Sequence, residues 1–248
     1  MLTQGQIKLI RSLSDKKVRR ENHLFIVEGV KCVNELLHSS YNIRAIFALK
    51  EWSDKASPKL KNKVTVINED LLDRISHLSK PNKVVALVDI PEINNLQPEF
   101  IKESVLILDG VNDPGNLGTI IRLCHWFGIK KIICSKNTVD VYNPKVIQAT
   151  MGSFAHVDVF YEELTNLIAK LTMPIFSADM KGENIFSAKI PYPFALVMGS
   201  ESHGVSKEIL KLSKTIAIPS FHVNSNAPES LNVAIAASVI LSQIVSRL

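Results

Sequence analysis

The 248-residue sequence predicts an α/β protein: a C-terminal domain built on a parallel sheet, preceded by a small N-terminal α/β domain. Three observations predict it. From residue 104 onward, strand-like and helix-like segments alternate strictly. The strands there are apolar throughout rather than apolar at every second residue, as strands covered on both faces are. Ahead of them, "PEINNLQPEFIKES" carries two prolines and no periodicity, so it reads as a connection. The expected division is 1–92 as one domain, 93–103 as a linker and 104–248 as the second domain.

In chain order, Gln4 to about Leu13 is expected to be a short helix, "HLFIVEG" a strand and "GVKCVNELLHSS" a helix. "IRAIFAL" and "KVTVI" are strands, "NEDLLDRISHL" is a helix capped by Asn68, and "KVVALVDI" is a strand. Beyond the linker come "SVLILD" as a strand, "NLGTIIRLCHWFG" as a helix, "IKKIICS" as a strand and "NPKVIQATMG" as a helix. "HVDVFY", "MPIFSAD", "FALVMGS" and "TIAIPS" are the later strands; "EELTNLIAKL" and "SKEILKLS" are helices between them. A closing helix, preceded by Ser230 as a natural N-cap, buries Val233, Ala234, Ala237, Ile240, Leu241, Ile244, Val245 and Leu248 at 3–4 residue spacing. Its other face carries Ile235, Ala236 and Val239, too apolar for a solvated surface, and predicts a homodimer that covers them.

Composition narrows the class. With 46% hydrophobic and 21% charged residues a folded soluble protein is expected. No apolar run reaches the roughly 18 residues of a membrane span, so no membrane partner is expected. The N-terminus has no signal-peptide core. Its Arg and Ser content faintly resembles a transit peptide, against which Asp15 and Glu21 weigh. Cys32, Cys124 and Cys134 lack metal-ligand spacing and form no even framework, which predicts no metal, three core residues and a reducing cytoplasm. The net charge of +5 is uneven: residues 1–103 hold 17 Lys and Arg against 13 Asp and Glu. Lys16, Lys17, Arg19 and Arg20 crowd together near the N-terminus, so these four are the candidate contacts to a nucleic-acid backbone.

Three polar, glycine-rich segments fall at the carboxyl ends of strands, where open parallel sheets bind ligands. The first, "DPGNLGTIIR", opens a helix; it has neither a G-x-G-x-x-G spacing nor a Gly-Lys-Ser/Thr, which disfavours a dinucleotide or phosphate loop. Its Arg122 lies inside a helix among apolar neighbours. The second, "MGSESHGVS", sets Glu201 between Gly199 and Gly204, where glycines let the backbone approach a ligand or take positive φ. The third, "IP…ESLNVAIA", brings Ser230 and Asn232 to the start of the final helix.

Together, in this order, the three segments resemble the SpoU/TrmH branch of the SPOUT family, S-adenosylmethionine-dependent RNA 2'-O-ribose methyltransferases. The N-terminal part, with "RRENHLFIVEGVK", resembles that family's substrate-binding domain, akin to ribosomal proteins of the kink-turn-binding type, so the likeness covers almost the whole chain. The resemblance implies a SPOUT domain with a deep trefoil knot, S-adenosylmethionine as methyl donor and no metal. It implies catalytic roles for Asn116, Arg122, Glu201, Ser230 and Asn232. It places Gly199, Glu201, Gly204, Ile218, Leu231 and Asn232 around the cofactor. One departure stands out: the link "SFHVNSNAPE" is longer than the family's and lacks glycine, and its His222 is read as a loop residue rather than a proton relay.

The reaction implied is in-line methyl transfer to a ribose 2'-hydroxyl, for which the protein aligns the groups and assists loss of the hydroxyl proton. The matched Arg is proposed in the family as the base; a guanidinium stays protonated, so phosphate binding and oxyanion stabilisation suit Arg122 better. The basic N-terminal domain favours ribosomal RNA over tRNA. The alternatives are a tRNA 2'-O-methyltransferase of the same family, a non-catalytic RNA-binding protein that keeps the fold, and a nucleotide-binding Rossmann enzyme.

Overall fold

The structure, a computed structural model, describes residues 2–92, 96–220 and 229–247. The chain forms two compact units: Met1–Ile93 together with Asp140–Ala155, and Asn94–Val139 together with His156–Leu248.

The first unit begins with α1 (Gln4–Ser12), which opens on a capping box. Thr3 Oγ1 accepts from the Gln6 N–H at 3.2 Å, and Gln6 Oε1 accepts from the Thr3 N–H at 2.9 Å, so two otherwise orphaned donors are met. A second helix follows where only a basic run was expected: α2 (Lys16–Asn22), capped by Asp15, which accepts from the Lys17 N–H at 2.6 Å. Then come β1 (Leu24–Glu28), α3 (Val30–Glu35), β2 (Ile43–Ala48), α4 (Lys50–Ser53), β3 (Val64–Val66), α5 (Glu69–Ile75) and β4 (Val84–Asp89). The cap on α5 is Asn68, as its sequence predicts. The strands form one sheet in the order β1-β4-β2-β3, antiparallel except for the β2–β3 pair.

Every residue of β1 is buried, so both faces of the sheet must be covered. Leu24 and Ile26 join a core with Ile7, Ile10 and Leu13 from the N-terminal helix and with Leu72 and Ile75 from α5. Phe25 points the other way, as alternate strand residues do, and meets Tyr41, Tyr142 and Phe154 at ring-centroid distances of 5.5, 4.6 and 6.2 Å. Two of those partners come from Asp140–Ala155, so this segment packs with the first unit although in sequence it lies deep inside 104–248.

The same segment corrects one expectation. Arg19 is not offered to a nucleic acid: it is 1% exposed. Its Nε donates to Asp140 Oδ2 at 3.1 Å, its Nη2 also bonds that carboxylate, and Nη1 donates to the carbonyls of Leu13 and Ser14 at 2.9 and 2.8 Å. Its neighbours Lys16, Lys17 and Arg20 remain exposed.

The second unit runs β5 (Val105–Asp109), α6 (Pro114–Trp126) and β6 (Lys131–Ser135). The chain then supplies α7 (Pro144–Thr150) to the first unit and returns as β7 (Asp158–Glu162), α8 (Leu164–Ile168), β8 (Ile175–Asn184), β9 (Ala195–Gly199), α9 (Lys207–Leu210), β10 (Lys214–Ala217) and α10 (Val233–Val245). Six strands pair in the order β10-β8-β9-β5-β6-β7, parallel throughout. Val105, Ile107, Ile133 and Val197 face α8 and α9 on one side. On the other side α6 and α10 pack on the sheet and on each other.

The final helix starts later than its sequence suggests. Asn232, not Ser230, is the N-cap: its Oδ1 accepts from the N–H groups of Ala234 and Ile235 at 3.0 and 3.3 Å. Val233, Ala234, Ala237, Ile240, Leu241 and Ile244 are buried as expected. Val245 is 36% exposed, and Leu248 lies outside the described residues. All three cysteines are free and buried. Burial pushes the Cys32 thiol up to about 11 and raises Cys124 and Cys134 further, so none is a ready thiolate nucleophile.

Candidate active site

In the sheet of the second unit the strand order reverses between β5 and β9, which makes their carboxyl ends the natural place for a ligand. β5 ends at Asp109, whose Oδ2 accepts from the Ser206 N–H at 2.8 Å and so ties this strand end to the loop after β9. Gly110 turns the chain at φ +76° and donates its N–H to Ser135 Oγ at 2.8 Å. Asp113 then caps α6 by accepting from the Asn116 N–H at 2.8 Å, and Pro114 occupies the first helical position, where its missing N–H is harmless.

This fixes Asn116 in the first turn of α6, and its side chain joins the other two loops. Asn116 Nδ2 donates to Glu201 Oε1. Asn116 Oδ1 accepts from Asn232 Nδ2 at 2.9 Å, while Asn232 Oδ1 caps α10. Residues 85 and 116 positions apart thus share one hydrogen-bonded chain, and each amide group is used at both ends.

The loop that carries Glu201 is a tight turn closed by a Ser200–Gly204 bridge, with the Gly204 N–H donating to the Ser200 carbonyl at 2.9 Å. Gly199 is required for that closure. A Cβ there would lie 2.0 Å from the Gly204 carbonyl carbon and 2.2 Å from the Val205 nitrogen. The close approach at Gly199 is to the loop's own chain rather than to a ligand. Gly204 takes φ +66° at the other end.

A cavity of about 510 Å³, within the range of small-molecule sites, opens beside this turn. Gly199, Glu201, Gly204, Ile218, Ser230 and Leu231 line it. Asn232 holds the start of α10 next to the wall without forming part of it. Arg122 is exposed on α6 and makes no hydrogen bond or ion pair among the described residues. Sequence reasoning missed Asp179, Met180 and Lys181, which complete the cavity wall from β8. The signal was present: the apolar strand turns polar at Asp179 while the chain continues extended to Asn184. His203 lies on the same turn outside the cavity wall; its Nδ1 lies 2.7 Å from Ser202 Oγ, and its N–H donates to Ser200 Oγ at 3.3 Å. His222 lies outside the described residues, which resume at Glu229 on the cavity wall. Among the described residues no group of three His, Cys, Asp or Glu side chains could hold a metal ion, and no helix is long and apolar enough to cross a membrane.

Residues 103–242 match the SpoU rRNA Methylase family, and residues 4–86 match an MRM3-like substrate binding domain. The 23S rRNA (guanosine(2553)-2'-O)-methyltransferase of Bacillus subtilis is 26% identical over 242 residues, covering 95% of this chain and 94% of its own. Among solved structures, a TrmH-family chain from Porphyromonas gingivalis described as an RNA methyltransferase superposes with TM-score 0.89 at 33% identity over 100% of both chains. An AdoMet-bound rRNA methyltransferase from Sinorhizobium meliloti gives 0.86 at 26% identity, over 100% of this chain and 97% of the other.

Proposed function

Because this chain belongs to the SpoU rRNA methylase family, we propose that it transfers a methyl group from S-adenosylmethionine to a ribose 2'-hydroxyl of ribosomal RNA. The observation that carries the reading is the hydrogen-bonded chain Glu201–Asn116–Asn232, which joins three sequence-distant loops beside the cavity. A fold kept for RNA binding alone has no need of it, which disfavours the non-catalytic alternative.

The residues present fit the methyl donor. The cavity is lined by apolar Ile218, Leu231, Met198 and Ile216, which suit a flat ring, and by Gly199 and Gly204, of which Gly204 has open space where a side chain would stand. These residues, with Glu201 and the α10 turn held by Asn232, would hold the cofactor. The bound cofactor supplies an already activated methyl group, so no metal is required.

The chain's own residues then have distinct tasks. Asn116, locked at both ends of its amide, fixes Glu201 and orients the ribose region. Arg122 presents an exposed guanidinium with no partner among the described residues, suited to grip an RNA phosphate and to stabilise the developing 2'-oxyanion. Ser230 offers its hydroxyl from the cavity wall. Residues 1–92 form the substrate-binding domain, 93–103 the linker and 104–248 the transfer domain, with Lys16, Lys17 and Arg20 on RNA backbone.

Two structural features support finer parts of the reading. Membership of the SpoU family extends the reading to a trefoil knot in the transfer domain. Ile235, 56% exposed on α10, supports a homodimer across that face, of which Val239 is half-buried and Ala236 is half-buried on the cavity wall. Three buried free thiols support a reducing cytoplasm.

Mass-spectrometric mapping of ribose methylation in RNA from cells with and without the protein tests the reading. One ribosomal 2'-O-methyl group should disappear with the protein. A lost tRNA mark would favour the tRNA alternative, and an unchanged map with no S-adenosylmethionine binding in calorimetry would sink the enzyme.

A further inference from the structure

Methyl transfer to a hydroxyl releases a proton, and the residues assigned above leave its acceptor open. Arg122 is a permanent cation, and Asn116, Ser230 and Asn232 are not bases at neutral pH. Glu201 has one carboxylate oxygen committed to Asn116, and carboxylates as a class are weaker bases than imidazole. The same five-residue turn carries one more titratable side chain.

From this geometry we infer that His203 is the proton acceptor for the ribose 2'-hydroxyl, an assignment that rests on the methyltransferase reading. Three observations support it. The Ser200–Gly204 bridge and the Gly204 N–H to Ser200 carbonyl bond hold residues 201–203 at the tip of a closed turn, so His203 is presented by the same rigid element as Glu201. Its backbone N–H is fixed on Ser200 Oγ at 3.3 Å. Its ring is fixed by Ser202, whose Oγ lies 2.7 Å from Nδ1. In the tautomer with the proton on Nδ1, the ring donates to Ser202 Oγ and Nε2 keeps an open lone pair. Imidazole is also the side chain whose ordinary titration suits proton transfer near neutrality.

The step balances. The 2'-oxygen gains the methyl carbon, the electron pair of the broken carbon–sulfur bond stays on sulfur, and the hydroxyl proton moves to His203 Nε2. The imidazolium then returns that proton to water. Several charged groups stand on the elements joined to this turn. Glu201 lies on the turn itself, Asp109 at the end of β5, and Asp113 and Arg122 on α6 and its cap. Lys207 and Glu208 open α9, and Glu229 precedes α10. Among the described residues none of these hydrogen-bonds the ring, whose partner is Ser202.

The test uses the full chain, tritium-labelled S-adenosylmethionine and ribosomal RNA from cells that lack the protein. His203→Asn should lower single-turnover methylation by about 10²-fold or more, the lower end of general acid–base effects. Affinities for RNA and cofactor should stay at the wild-type level. The pH profile of turnover should differ in shape between wild type and the variant, which a purely structural role would not produce. Ser202→Ala, which frees the ring, should fall between the two. Turnover of His203→Asn within about threefold of wild type, with the same pH profile, overturns the assignment, as does a loss confined to KM for RNA. Wild type that methylates no RNA at all refutes the parent reading instead, so the two failures are distinct.

Discussion

Removing the Arg19 guanidinium should unfold the first unit under mild conditions while leaving its surface charge pattern almost intact. In Arg19→Ala, Asp140 loses its cation and the carbonyls of Leu13 and Ser14 lose their donors in a site where Arg19 is 1% exposed. Breaking a buried ion pair by removing one partner costs about 3–5 kcal/mol, against a total domain stability of about 5–15 kcal/mol. About a fifth or more of the margin should go. Urea unfolding followed by tryptophan fluorescence reports the right unit, because Trp52 is 6% exposed in the first unit whereas Trp126 in the second is 84% exposed and already in water. Asp140→Ala should cost about the same range, and Arg19→Met with Asp140→Leu should cost much less than the two single losses combined, since paired apolar replacement removes both buried charges. Single losses below about 1 kcal/mol, the value of an exposed ion pair, would refute the reasoning and restore Arg19 to the surface.

Lys16, Lys17 and Arg20 are exposed, so replacing all three by alanine should weaken RNA binding and flatten its log–log salt slope by roughly 2–3. An unchanged slope in filter-binding titrations moves the RNA surface elsewhere. Arg122→Lys should fold and bind S-adenosylmethionine yet methylate RNA about 10²-fold more slowly, because an ammonium cannot reproduce the planar fork; near-normal turnover returns Arg122 to a surface role. Gly199→Ala forces a Cβ to within 2.0 Å of the Gly204 backbone and should cost about 1–3 kcal/mol with weaker cofactor binding by calorimetry. Wild-type affinity and melting temperature would show that the turn relaxes without loss.

The parallel architecture was legible because buried parallel strands write themselves as unbroken apolar runs: Val105–Leu108 and Ala195–Met198 are completely covered. The loops were legible as polar breaks at strand ends, the first two of them glycine-bearing. What joined them was not, since the bond from Asn232 to Asn116 spans 116 residues and has no local signature. α2 escaped notice because its buried contact is an arginine and its one apolar residue, Val18, sets no period. Ser230 and Asn232 are equally good cap types, and only the backbone conformation chose the second. The fate of Asp140–Ala155 was hidden most thoroughly, because Tyr142 and Phe154 look like core residues of whichever domain surrounds them in sequence.

That segment has a consequence for synthesis. A ribosome that has made only the first 93 residues has delivered every strand of the first sheet but neither Tyr142, Phe154 nor Asp140. The nascent unit therefore waits with the Phe25 face only partly covered, by Tyr41 and α3, and the Arg19 cation unmatched until some 60 further residues, including β5, α6 and β6, have been made. Completion of the earlier unit is timed by the later one. A fragment cut at residue 92 should consequently be sticky and poorly folded, whereas the uninterrupted chain meets the need for a cover from within itself.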